Sequence, residues 1–338
     1  MAARRFKGYK LGNFWMRGAD FFGRRANGEA FKGDENICIL GMPGEKLSIM
    51  NKIILCLFLL NVSACQWPAN NTVIPVKNGE VNISYSLSGE GDIAIVLMHG
   101  WCINKEYWKA QQVFLSKKYK VVALDLGGHG QSGKNRTDWT VEEYARDVMA
   151  LIKTLQLKKV ILVGHSMSGD IMLQVAKEIP EKIIGLIGID NLKNIGSSFT
   201  PEQQKEMDQF YSALSSDYKT TAAAFCRKYL FPPNYPDTGS VNRVIKDVQD
   251  MDPGIAIETL QQSDLFFLRE ASFLSQMKVP LHLIVSDYTP MNKDTVKRYC
   301  PKGLFVKTIH GTGHYPMIEQ PELFNKLLGE TIDEIVRD

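Results

Sequence analysis

Residues 160–169, VILVGHSMSG, constrain the fold more than any other stretch of the chain. Val160, Ile161, Leu162 and Val163 form a continuous apolar run, β-branched at three of four positions. Such a run suits a strand covered on both faces, as in a parallel sheet. Gly164, Ser166 and Ser168 follow at alternate positions. After Gly169, the segment DIMLQVAKEIP places Ile171, Leu173, Val175 and Ile179 at helical spacing and stops at Pro180. A strand, a tight turn holding a serine among small residues, and then a helix make a nucleophile elbow. The neighbours must be small because the turn crowds the serine backbone. The helix points its free N–H groups and positive dipole end at the serine, which favours a developing oxyanion there. In the usual pattern, G-x-S-x-G, the last position is glycine; here it is Ser168, which is still small. A strand-to-helix turn with an idle serine is the competing reading, and the rest of the chain has to decide between them.

The remainder of the body keeps one rhythm. Val81, Ile83, Tyr85 and Leu87 alternate with polar residues, as in an antiparallel edge strand with one wet face. Residues 93–98 and 121–124 are further apolar runs, followed by His99-Gly100-Trp101 and by Asp125 with LGGHGQS. Residues 141–157 read as an amphipathic helix with Thr140 as N-cap and Glu143 three residues on. Residues 183–189 form the next buried strand, ending at Asp190. Strands at this spacing, alternating with helices, predict βαβ units and a mostly parallel sheet. Residues 193–278 break the rhythm with helical segments and turn clusters but no buried strand, so they predict a helical insertion across the carboxyl edge of the sheet. The core resumes with a strand over 279–286, a helix over 292–299, a strand over 304–309 and a final helix.

The amino-terminal residues read differently. Met50 begins MNKIILCLFLLNVSACQWP: Lys52 supplies a short positive region, and the apolar run at 53–60 is short for a bilayer span. Val62-Ser63-Ala64-Cys65 then places small residues before a cysteine. The segment 50–65 resembles a bacterial lipoprotein signal, in which Cys65 would be lipidated; cleavage after Ala64 is the alternative. It implies an exported protein, periplasmic or membrane-anchored. Residues 1–49, rich in glycine and arginine, read as a disordered upstream extension of the chain; an arm that binds nucleic acid is the competing reading, but scattered basic residues make no recognition motif. Of 40 Lys+Arg and 37 Asp+Glu, 10 and 5 fall in residues 1–64, so the remainder carries 30 against 32. The basic balance therefore belongs to the leader, and nothing in the body asks for nucleic acid. Outside the leader, Cys102, Cys226 and Cys300 lack the spacing of a zinc site or a disulfide framework, though one pair could close in an oxidising compartment.

Four motifs in one order carry a resemblance: HGW at 99–101, DLGGHGQS at 125–132, GHSMSG at 164–169 and GTGHYPMIEQPELF at 311–324. Residues 72–192 and 279–338 resemble the core of an α/β-hydrolase, and 193–278 its helical cap. The resemblance implies a mostly parallel sheet flanked by helices, with the cap inserted after the strand ending near Asp190. It implies cleavage of a carboxylic ester or related acyl bond of a small molecule through an acyl-enzyme, with no metal or organic cofactor. Carbon–carbon hydrolysis, lyase chemistry and a ligand-binding receptor are the alternatives that the same fold hosts. Ser166 matches the nucleophile, which needs a base because a hydroxyl is weakly nucleophilic at neutral pH. His314, in a glycine-bracketed loop after the last strand, matches that base; His310 is a distant second. The acid holds the imidazole in the right tautomer and stabilises its cation. In the commoner family pattern it follows the strand ending at Ser286, but the position before Pro290 is Thr289. Asp190, at the end of the preceding core strand, is favoured over Asp287. Backbone N–H groups of Trp101 and Met167 are the expected oxyanion donors. Phe199, Phe210, Tyr211, Phe225, Phe231, Phe266 and Phe267 are candidates either to line the pocket or to pack the cap.

Overall fold

A computed structural model of the chain describes residues 74–337. The extension 1–49, the signal-like segment 50–65 and Cys65 lie outside the described residues.

Val76–Asn78 (β1) and Val81–Ile83 (β2) form a small antiparallel hairpin. The main sheet has seven strands in the order β3-β5-β4-β6-β7-β8-β9. These are Tyr85–Ser88 (β3), Ile93–Met98 (β4), Lys120–Leu124 (β5), Lys159–His165 (β6), Ile183–Ile189 (β7), Leu281–Ser286 (β8) and Leu304–Ile309 (β9). Only β3 is antiparallel to its neighbour; every other pairing is parallel. The central strands are buried on both faces because helices cover both, which is why their sequences are apolar runs without alternation.

The alternating run from Val81 to Leu87 is not one strand. Ser84 interrupts it: its N–H donates to Ser132 Oγ at 2.8 Å, and its carbonyl accepts from Asp125 N at 2.8 Å. The backbone bonds that would continue one ladder go instead to the loop after β5, so β2 turns to β1 and β3 becomes the sheet edge.

The helices are Lys109–Leu115 (α1), Val141–Thr154 (α2), Ser168–Glu178 (α3), Pro201–Ser216 (α4), Tyr218–Tyr229 (α5), Thr238–Asp250 (α6), Pro253–Leu274 (α7), Lys293–Arg298 (α8), Pro316–Glu319 (α9) and Pro321–Arg337 (α10). Thr140 caps α2 by accepting from Glu143 N. That helix ends three residues before Leu157, because Gln156 turns into the left-handed region at φ +52°. The four helices α4 to α7 stand between β7 and β8, where the strand rhythm broke. α7 packs against α3, and its start is tied to the loop after β4 by Trp101 Nε1 donating to Ala256 O at 2.8 Å. Cys102, Cys226 and Cys300 are buried free thiols, so no pair among them is closed.

Candidate active site

The elbow is built by backbone strain held in place on several sides. β6 ends at His165, α3 begins at Ser168, and Ser166 between them has φ +54°. The left-handed region costs a non-glycine residue about 1–2 kcal/mol, so other bonds must hold the turn. Ser166 N donates to Ile189 O at 3.1 Å, Gly169 N to Ser166 O at 2.9 Å, and Asn191 Nδ2 to both Gly164 O and Ser166 O at 2.9 Å. Gly164 is required by space, since a Cβ there would lie 2.3 Å from Ser168 O. Ser168, the departure from the usual pattern, has a bond of its own. Its hydroxyl donates to His99 O at 2.5 Å, tying the elbow to the loop that carries Trp101.

The structure brings Ser166, His314 and Asp190 together, although 148 and 124 positions separate them from one another along the chain. His314 Nε2 lies 2.8 Å from Ser166 Oγ, and His314 Nδ1 lies 2.7 Å from Asp190 Oδ2. All three side chains are buried. The loop carrying His314 is held from several directions: His314 N donates to Leu230 O at 2.9 Å, and His165 Nε2 donates to His314 O at 2.8 Å. Burial keeps the His165 imidazole well below its usual pKa, so it serves there as a neutral donor. Glu319 accepts from Tyr315 N at 2.6 Å, fixing the next residue.

Asp190 sits at φ +49° at the end of β7. Its second oxygen, Oδ1, receives Ser286 N at 2.8 Å, Ser286 Oγ at 2.7 Å and Lys193 Nζ at 2.6 Å. Burial by itself would push this carboxyl up. The adjacent Lys193 ammonium and the bond to His314 outweigh that and hold it well below the usual carboxylate range. Lys193 is itself buried and also reaches Thr289 Oγ1 at 2.6 Å. Thus the end of β8 supplies two donors to Asp190 at the end of β7, and Thr289 in the loop after β8 accepts from Lys193. Asp287 lies elsewhere, half-exposed on the surface, with Oδ2 2.7 Å from His310 Nδ1. The two second-ranked residues pair with each other, away from Ser166.

Trp101 and Met167 flank Ser166 on the cavity wall. Among the described residues neither backbone N–H has a protein acceptor, so both are free to donate. The cavity is narrow, about 30 Å³, and mostly apolar. Of the seven aromatic candidates only Phe225 and Phe267 line it. Phe266 packs on Phe273 and Tyr211 hydrogen-bonds Asp264, both within the insertion, whereas Phe231 stacks on Tyr315, the neighbour of His314. Asp125 accepts from Lys105 N, Lys105 Nζ and Gln131 N at 2.7–2.9 Å, which is a scaffold role.

Sequence reasoning did not single out Asn191, Lys193 or Glu319. Lys193 follows Asp190 by three residues, but its side chain reaches Asp190 only because the backbone turns left-handed at Asp190 and again at Leu192. No periodic pattern announces such a turn.

Residues 93–321 match the family described as alpha/beta hydrolase fold. The chain belongs to the α/β-hydrolase fold family. A karrikin insensitive 2 receptor of Petunia hybrida is 28% identical over 249 residues, covering 70% of this chain and 90% of the relative. A probable esterase of Oryza sativa subsp. japonica is 27% identical over 250 residues, with the same coverage. Among solved structures, a thermophilic esterase from Thermogutta terrifontis superposes with a TM-score of 0.65 at 22% identity, covering 78% of this chain and 97% of that one. The enol-lactonase from Burkholderia xenovorans gives 0.64 at 20% identity, covering 77% and 98%. At these identities the structural likeness establishes the shared fold.

Proposed function

We propose that this α/β-hydrolase fold protein is a serine hydrolase that cleaves a carboxylic ester or related acyl bond of a small molecule, with α4 to α7 acting as a cap over the site. The observation that carries the reading is the continuous hydrogen-bonded array from Ser166 Oγ through His314 to Asp190, at a cavity with two free backbone N–H groups. Ser166 Oγ attacks the acyl carbon as its proton passes to His314 Nε2. Asp190 Oδ2 accepts Nδ1–H and stabilises the imidazolium, and Lys193 keeps Asp190 ionised for that task. The carbonyl oxygen, now an oxyanion, takes the N–H groups of Trp101 and Met167, each worth about 3–4 kcal/mol in the transition state. His314 then protonates the leaving group. Water repeats the sequence on the acyl-enzyme and releases the acid.

A fluorophosphonate should label Ser166, and p-nitrophenyl acetate should give a burst of nitrophenolate. Ser166→Ala should abolish both while the protein stays folded; near-normal turnover in that variant would reject the assignment. A second reading, a ligand receptor with slow turnover, draws support from relatives named as receptors. Saturable binding without labelling of Ser166 would favour it. We also propose that the chain is exported and that Cys65 becomes a lipidated mature N-terminus. Mass spectrometry of the membrane-associated protein should find an acylated Cys65, and an unmodified amino terminus at another residue would overturn this.

A further inference from the structure

Three carboxyl side chains on the cavity wall take no part in the Ser166–His314–Asp190 array: Asp170, Asp264 and Glu270. Asp170 stands in the first turn of α3, four residues after the nucleophile. Leu260, Ser263, Asp264, Phe267 and Glu270 recur at helical spacing along one face of α7, and that face lines the cavity. The three carboxyls are 5%, 2% and 1% exposed, so solvent does little to stabilise their charge.

Their partners are neutral donors or one another, and none brings a positive charge. Ser263 Oγ donates to Asp170 Oδ2 at 2.7 Å, and Tyr211 donates to Asp264. Glu270 hydrogen-bonds the Asp170 carboxyl, an acid–acid contact that holds a proton between the two, and its Oε2 is buried with no hydrogen-bond partner. Burial and the neighbouring carboxylate push Glu270 well above its usual range. No lysine or arginine lines the cavity. The nearest such groups on these helices are engaged elsewhere: Lys177 lies over the Phe273 ring, and Arg269 pairs with Glu142. Among the described residues no group of acids converges as a metal cage would require. The cavity's remaining walls include the rings of Trp101, Phe225, Phe267 and Tyr315, whose faces attract organic cations.

Resting on the hydrolase reading above, we propose that the substrate is a cationic ester: a compact ammonium group on its acyl or alcohol part lies among Asp170, Asp264 and Glu270 while its carbonyl lies at Ser166. The cation then takes the place of the protons that otherwise neutralise these buried acids, and Glu270 Oε2 gains a partner. The cation also offsets the negative charge of Asp170, which would otherwise oppose an oxyanion forming one helical turn away.

Two matched ester pairs test this on the full chain. p-Nitrophenyl 6-aminohexanoate against the heptanoate places the charge on the acyl part. Butyrylcholine against 3,3-dimethylbutyl butanoate places it on the alcohol. In one pair the cationic member should be preferred at least tenfold in kcat/KM. Asp264→Asn and Glu270→Gln should each bring that ratio towards one. n-Butylammonium, and not n-butanol, should slow fluorophosphonate labelling of Ser166, a readout that needs neither turnover nor a variant. Neutral esters hydrolysed as fast as cationic ones in both pairs, with no protection by n-butylammonium, would overturn the cation site and leave the hydrolase reading intact. Failure of Ser166 to label or to turn over any ester would instead remove the hydrolase reading; saturable n-butylammonium binding, lost in Asp264→Asn, would then still support the cation site, and no binding would refute it.

Discussion

Asp190→Asn is the sharpest perturbation of the site, and the structure dictates what the new side chain must do. Three donors converge on Asp190 Oδ1: Ser286 N, Ser286 Oγ and Lys193 Nζ. An asparagine must keep its oxygen facing them, because an NH₂ group there would meet three donors and no acceptor. Its NH₂ group therefore points at His314 Nδ1 and donates to it. That locks the imidazole with its proton on Nε2, facing Ser166 Oγ, where it cannot accept the hydroxyl proton. A wrong tautomer of this kind lowers kcat by about 10,000-fold, or ~5 kcal/mol. The same substitution leaves Lys193 buried without a counter-charge, which costs about 3–5 kcal/mol of stability. Stability and catalysis can be separated: Asp190→Asn with Lys193→Met should recover part of the stability and none of the activity. The assay is single-turnover p-nitrophenyl acetate cleavage with the rate of fluorophosphonate labelling, beside urea denaturation. Asp287→Asn removes only a half-exposed contact with His310 and should stay within about twofold, since exposed pairs contribute ~1 kcal/mol or less. If Asp190→Asn kept activity within tenfold while Asp287→Asn was crippled, the assignment of the acid would be wrong.

The remaining predictions concern the frame around that array. Asn191→Ala leaves the Gly164 and Ser166 carbonyls without their donor, so urea denaturation should show a loss of about 2–4 kcal/mol. Gly164→Ala puts a Cβ 2.3 Å from Ser168 O, and the elbow must open; labelling of Ser166 should slow sharply and the melting temperature should fall. Asp264 is raised by burial, opposed by the Tyr211 bond and reinforced by Asp170, from the usual 3.8 to about 7. Between those values the folded protein holds a proton that the unfolded chain releases, so this contribution is full at low pH and is lost as pH rises to 7. The loss is on the order of 4 kcal/mol. Thermal melts should therefore show Asp264→Asn more stable than the parent at pH 8, with the gap shrinking towards pH 4; an equal gap at both would refute the shift.

Much of the fold was legible because its signals are local. Apolar runs such as 93–98 and 183–189 are strands whose two covered faces leave no room for polar alternation. Gly164, in the run of small residues at 164, 166 and 168, reports a turn that even a Cβ there would obstruct. The break in rhythm after Asp190 marks where the helical insertion begins. The alternating run at 81–87 misled because alternation describes which faces are wet and says nothing of where backbone bonds go; Ser84 spends its own on the loop after β5.

The sequence alone determined the class of the fold, the strained serine turn and the short set of residues from which a reacting array could be drawn, since each depends on neighbours within a few positions. Tertiary structure decided which of those residues meet. It placed Asp190, rather than Asp287, on His314, and it seated Lys193 on the far oxygen of that acid. It also brought Asp170 of α3 against Asp264 and Glu270 of α7, about a hundred positions away. These contacts depend on the order of strands in the sheet and on how the insertion folds back over it, and a one-dimensional pattern does not encode the distance between side chains carried on different elements.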